Sequence, residues 1–191
     1  MRSSRLPPYQ AEQDGIRLRP FRLNDVDGYF SASRASVETV GRWLSWLHRD
    51  YARHEAEQWV AACVLGWGEP ERPFNFVIEE VASQRLLGGL SVKVISNPAK
   101  RLGNIGFWVR SDTTGRGVAT MATRLAVEFG FDTLQLPRLE IGAAVDNLAS
   151  RRVAEKAGFQ FEGVLRLGLL CNGQPTDEAL YSLIAADREA R

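Results

Sequence analysis

The chain has 191 residues, 45% apolar and 25% charged, the balance of a single globular domain with a sizeable core. Twenty-four Lys and Arg against 23 Asp and Glu leave a formal charge of +1, which excludes a sustained field for nucleic acid or an anionic membrane, so any anion has to be held locally. Cys63 and Cys171 lie far apart, and His48 and His54 make no helical metal pair, so neither a disulfide framework nor a metal site is expected.

Residues 1–14 begin basic but contain no apolar stretch of signal-peptide length, and no run approaches membrane-spanning length. They read as a flexible tail of a cytoplasmic protein whose single domain covers 15–185, with 186–191 as a second tail. "IRLRPF" (16–21) alternates as a strand, and "LNDVDGYFSASR" follows as a helix with Asn24 or Asp25 near its start. Residues 37–67 carry Trp43, Trp46, Trp59 and Trp67 at loosely helical spacings and read as two helices around a polar break at 48–53. "FNFVIEE", a turn at "VASQR", "LLGGLSVKVIS", a turn at "NPAKRLG" and "NIGFWVR" make an antiparallel meander.

Val118, Met121, Ala122, Leu125, Ala126 and Phe129 then fall in steps of three and four on one helical face. "PRLEIGAAV" alternates as a strand, so 108–145 reads as strand, helix, strand with the strands parallel. A second helix, "LASRRVAEKA", stops at Gly158, a natural C′ glycine. Two further strands, joined at "NGQPTD", complete the chain.

The turn into the 118–129 helix, "VRSDTTGRGVAT", is the stretch that carries chemistry. A helix start exposes unpaired N–H groups with roughly half a positive charge, and Gly115 and Gly117 keep side chains from blocking an anion there. A structural turn is the alternative. No Gly-Lys-Ser/Thr follows, so it is not a Walker loop. Gly115, Gly117 and Thr120 give only G-x-G-x-x-T behind an antiparallel meander, which argues against a dinucleotide fold.

A second stretch, "NLASRRVAEKAGFQFEG" (147–163), completes the pattern N-x-x-S-x-x-V-x-E-K-x-G-F-x-x-E-G. With "GRGVAT", "IRLRPFRLNDVDGYF" and "GQPTDEALYSLI", the chain resembles the GNAT superfamily of acyl-CoA-dependent N-acyltransferases over about residues 15–185. Its closest likeness is to the branch that acetylates ribosomal-protein N-termini. The resemblance implies an α/β fold with a mixed sheet of about seven strands, an antiparallel meander first, and parallel fourth and fifth strands splayed around acetyl-CoA as acyl donor. It places pantetheine along Phe107, Trp108, Val109 and Arg110, with an oxyanion donor near Trp108 or Val109. The pyrophosphate falls on the backbone of Gly115, Arg116, Gly117, Val118, Ala119 and Thr120.

Acyl transfer from a thioester to an amine needs a neutral amine, donors for the oxyanion, and a proton for the thiolate. At the position where many family members carry a tyrosine acid, this chain has Ala154. Ser150 matches the serine assigned that role in the ribosomal branch, and Asn147 would bond the pantetheine arm; both residues also suit a plain helix cap. The branch's glutamate base falls on Leu169. Glu79, Glu80 and His48 are weaker candidates, and water could serve. By the same resemblance Trp43, Trp46 and Leu47, with Arg42, His48 or Arg49, line the acceptor wall or simply pack a core. The expected activity is acetyl transfer to a primary amine of a peptide N-terminus or a small molecule, by a monomer or homodimer. A CoA-binding module without turnover, a nucleotide-binding regulator, and use of succinyl-CoA are the alternatives.

Overall fold

The computed structural model describes residues 7–97 and 100–189, with the side chain of Glu189 set aside. Residues 1–6 and 190–191 of the expected tails, and 98–99 of the turn at 97–103, lie outside the described residues.

Alternating apolar residues build one eight-stranded sheet, in the order β1 (Ala11–Gln13), β2 (Ile16–Pro20), β3 (Phe74–Glu80), β4 (Arg85–Asn97), β5 (Lys100–Val109), β6 (Arg138–Ala144), β8 (Gln174–Ile184), β7 (Gln160–Cys171). Every neighbouring pair is antiparallel except β5 and β6. The short strand β1 lies within the segment read as a tail, and α6 (Ala185–Glu189) occupies most of the other.

The period-2 alternation gives each sheet face its own core. Leu18, Phe76, Leu90, Ile105, Leu139, Ile141 and Tyr181 face α4 (Val118–Glu128) and α5 (Leu148–Ala157). Phe21, Val77, Leu86 and Trp108 face α1 (Val26–Arg34) and α3 (Arg53–Gly66). Helix α4 forms where the apolar stripe predicts it: Val118, Ala122, Leu125 and Ala126 are all buried in the first core. Helix α5 ends on Gly158 at φ 96°, which satisfies the helix end in a left-handed conformation that glycine adopts freely. No helix among the described residues is long and apolar enough to cross a membrane.

Residues 37–52 depart from the expected helix. Only one turn, α2 (Val37–Val40), is regular, and the chain folds back on itself at Gly41. A Cβ there would stand 2.3 Å from the Leu47 carbonyl oxygen and 2.4 Å from that of Val37, so glycine permits the tight return. Trp43 and Trp46 therefore do not share a helical face. Trp46 tucks inward, stacked on Tyr29 at 6.1 Å and edge-on to Trp108 at 5.6 Å, whereas Trp43 lies under the Arg42 guanidinium at 4.7 Å.

Candidate active site

The two parallel strands pair only at Gly103 with Leu139 and Asn104 with Glu140. Beyond those residues β5 runs on to Val109 and β6 to Ala144 with no ladder between them. The gap lies at the carboxyl ends of both strands, and whatever follows each strand must line it. After β5 comes the glycine loop; after β6 come Asp146, Asn147 and α5.

The loop delivers an open helix start. Gly115 and Gly117 stand at φ 82° and 80°, and a Cβ at either would meet nothing within 4 Å. Helix α4 has Gly117 as its N-cap with no side-chain capping bond and no acid in its first turn. Its first N–H groups carry partial positive charge and no side chain competes for them. Val118, Ala119 and Thr120 are buried, so no long side chain from the first turn reaches over the helix start. Arg116 is exposed and donates to Glu80 Oε1 at 3.0 Å. Ser83 and then Arg116 hold the Glu80 carboxyl below its ordinary range.

Arg110 is bonded within the protein on both sides of its backbone. Its N–H donates to the Leu87 carbonyl at 2.7 Å, and its carbonyl accepts from both the N–H and the hydroxyl of Thr113, at 3.1 and 2.9 Å. Its guanidinium is bound to Asp112, with Nε at 3.1 Å from Oδ1. Arg110 thus fastens the loop to β4 and has no backbone group left for a ligand. Phe107, Trp108 and Val109 keep one strand edge toward the gap; the Trp108 indole points away from it into the second core.

On the β6 side Asn147 is the N-cap of α5, its Oδ1 accepting the Ser150 N–H at 3.2 Å. The helix is anchored by Arg151, which donates to the Tyr181 hydroxyl and the Val145 carbonyl, both at 3.0 Å, while Tyr181 donates to Glu155 at 3.0 Å. Arg124 of α4 donates to the Lys156 carbonyl at 2.9 Å and ties the two helices flanking the gap. Ala154 is fully buried in the first core, so that position has no room to present an acid to the gap.

Against β5 on the other sheet face lies a cavity of about 780 Å³, bounded by Gly106, Phe107 and Trp108 below and by Tyr29, Trp46, Tyr51 and Trp59 around it. Its polar groups include His48, Glu55, Gln58, Asn75 and Ser91. Trp43, Arg42 and Arg49 are not among its walls. An acyl group held along β5 would therefore meet whatever fills this cavity.

The sequence profile of the family described as "Acetyltransferase (GNAT) domain" matches residues 16–160, most of the chain. The chain belongs to the GNAT acetyltransferases. It is 35% identical over 174 residues to "Probable N-acetyltransferase YjcK" of Bacillus subtilis, covering 91% of this chain and 96% of that one. It is 30% identical over 99 residues to the ribosomal-protein-serine acetyltransferase of Escherichia coli, 52% of this chain and 55% of that one. Among solved structures it is similar to Mycobacterium smegmatis RimJ in complex with CoA-disulfide, with a TM-score of 0.83 and 25% identity over 97% of this chain and 90% of that one. This GNAT enzyme is accordingly an acetyl-CoA-dependent N-acetyltransferase with the mixed sheet of its family, here of eight strands.

Within this GNAT fold the base candidates separate. Glu79 is buried and clamped by Arg19 at 2.6 Å and Arg17 at 2.8 Å, a structural ion network away from the cavity. Glu80 is engaged by Ser83 and Arg116. His48 does reach the cavity, with Nε2 at 3.0 Å from Glu55 Oε1. Glu55 is kept ionised, first by the Ala52 N–H at 2.8 Å and then by His48. The sequence pattern does not single out Glu55, Tyr29 or Tyr51; Glu55, three residues after the Ala52 N-cap, accepts its N–H, which is one half of a capping box.

Proposed function

We propose that this acetyltransferase passes the acetyl group directly from acetyl-CoA to a primary amine seated in the aromatic cavity. The amine is borne on a peptide N-terminus or a small molecule with an apolar body. The observation that carries the reading is the position of β5, with an open, uncapped helix start at its carboxyl end and the cavity against its Gly106–Trp108 segment. One strand thus serves donor and acceptor, which suits direct attack within a ternary complex over a covalent intermediate.

In this reading Gly115 to Thr120 hold the pyrophosphate through backbone N–H groups. Phe107, Trp108 and Val109 hold pantetheine and supply the oxyanion donor, worth about 2.7 to 4 kcal/mol. Asn147 steadies the pantetheine arm and Ser150 donates a hydrogen bond to the departing thiolate. A cytoplasmic enzyme working as monomer or homodimer belongs to the same proposal.

The test is release of free CoA thiol on a panel of acyl-CoAs and amines: peptides, amino acids, aminoglycosides and polyamines. The expected result is turnover with acetyl-CoA and at least one apolar amine. Tight acetyl-CoA binding without thiol release on any acceptor would instead make the protein a CoA-binding module.

A further inference from the structure

Glu178 is a half-buried carboxylate with no hydrogen bond or ion pair among the described residues. It lies on β8, paired with Ala144 of β6 on one side and Leu165 of β7 on the other. Partners in register share a sheet face, so Glu178 stands with Glu140 and Gly142 of β6, opposite the face of Ile141 and Tyr181.

Two glycines make room for it. A Cβ on Gly142 would stand 1.7 Å from Glu178 Oε1, and one on Gly168 would stand 2.7 Å from Oε2. The carboxylate therefore occupies the space that a side chain at 142 would fill. Glu140 is the last β6 residue paired to β5, opposite Asn104. Gly142 lies two residues past it, and Gly106, two past Asn104, lines the acceptor cavity. Parallel partners also share a face, which puts the carboxylate on the β6 lip of the splay with the cavity on the β5 lip.

No cation among the described residues pairs with it. From β6 the facing charge is Glu140, itself paired with Arg138 at 2.8 Å and Lys100 at 3.8 Å. From β7, Leu165 and Gly168 bring no charge. On its own strand Asp177 is engaged by the Leu167 N–H at 2.9 Å. Burial first, then the charge of Glu140, raises the Glu178 carboxyl above its ordinary range. An unpaired carboxylate costs stability, and this one stands on the sheet face that carries Gly106 and Trp108 of the cavity floor.

We propose that Glu178 is the general base of acetyl transfer, taking a proton from the acceptor's ammonium group. The inference rests on the transfer reading above. The ammonium gives one proton to a Glu178 oxygen, and the freed nitrogen lone pair forms the C–N bond at the thioester carbonyl. The C–S bond breaks with its electron pair on sulfur. The thiolate is protonated through the Ser150 hydroxyl, which is restored by the second proton that the new amide nitrogen sheds. Glu178 returns its proton to water, so each turnover releases one proton. Leu169, where the resemblance places a glutamate, pairs with Thr176, two residues from Glu178 on the same face of β8.

The test compares the parent protein with Glu178→Gln, using the best acceptor from the panel. The expected loss in kcat at pH 7 is about 100-fold or more. The residual rate should climb about tenfold per pH unit toward the acceptor's own pKa, with acetyl-CoA affinity unchanged. Adding Leu169→Glu to that variant should recover at least about tenfold in kcat, since it returns a carboxylate to the same sheet face one strand over. Parental kcat with the parental pH profile in Glu178→Gln would overturn the proposal, as would loss of acetyl-CoA binding in that variant. A parent that binds acetyl-CoA but acetylates nothing would overturn the transfer reading and this role together, and the parent's behaviour tells the two failures apart.

Discussion

Asn147 Oδ1 accepts the backbone N–H of Ser150 at 3.2 Å. The bond caps α5 through the main chain of residue 150, and the hydroxyl takes no part in it. Cap and chemistry can therefore be separated at this residue by deleting one oxygen.

Ser150→Ala should leave the melting temperature and the acetyl-CoA dissociation constant where they are and lower kcat by about 10- to 100-fold, at or below the low end of general acid effects. Steady-state kinetics in a regime limited by chemistry, paired with calorimetric binding, checks both halves. Parental turnover would return Ser150 to the helix cap alone.

Gly117→Asp places a carboxylate at an uncapped helix start, at φ 80° and with nothing within 4 Å of the new Cβ. Aspartate tolerates that backbone region, so the fold should lose only about 1 kcal/mol. Acetyl-CoA should stabilise the parent by about 2.7 kcal/mol at a hundredfold excess over its dissociation constant and the variant not at all. Thermal melts with and without ligand, in protein stripped of copurified CoA, decide it.

Arg19 holds Glu79 at 2.6 Å and Asp25 at 2.8 Å, all three side chains being nearly excluded from water. Arg19→Met leaves buried Asp25 without its cation and Glu79 with Arg17 alone, and should cost about 3 to 5 kcal/mol, read by chemical denaturation. Acetyl-CoA affinity in the surviving folded fraction should be unaffected.

The Glu178 carboxyl, raised from its ordinary 4.5, binds its proton more tightly folded than unfolded. Its contribution to stability is therefore present below pH 4.5 and lost as pH rises through the folded value. Glu178→Gln has no such charge to bury. Its melting temperature should match the parent's near pH 4 and exceed it at pH 7 to 8; equal melts across that range would mean the carboxylate is solvated.

Much of this was readable from local pattern. The stripe from Val118 to Phe129, the C′ glycine at 158 and the alternation of 138–145 are periodic signals that tertiary packing reinforces. The short run 37–52 was not, because its tryptophan spacing imitates a helix while Gly41 and the Tyr29–Trp46 stack decide the path. The contacts of Arg110 are hidden for a related reason: its partners, Leu87 and Asp112, are fixed by strand register and loop shape. Glu178 could not be found in sequence at all. It matters through Gly142 and Gly168, 36 and 10 residues away, which nothing local connects to it.

The pairing of β5 with β6 over two residues divides the sheet mechanically into a five-stranded plate and a three-stranded plate, joined along one short seam. Above the seam the plates are braced by helix contacts such as Arg124 to the Lys156 carbonyl, and by no strand ladder. In the proposed binding mode a donor laid in the opening acts as mortar between the plates, bonding backbone on one side and the α5 cap on the other. On that binding mode occupancy becomes a matter of rigidity, since the donor stiffens the short seam between the two plates.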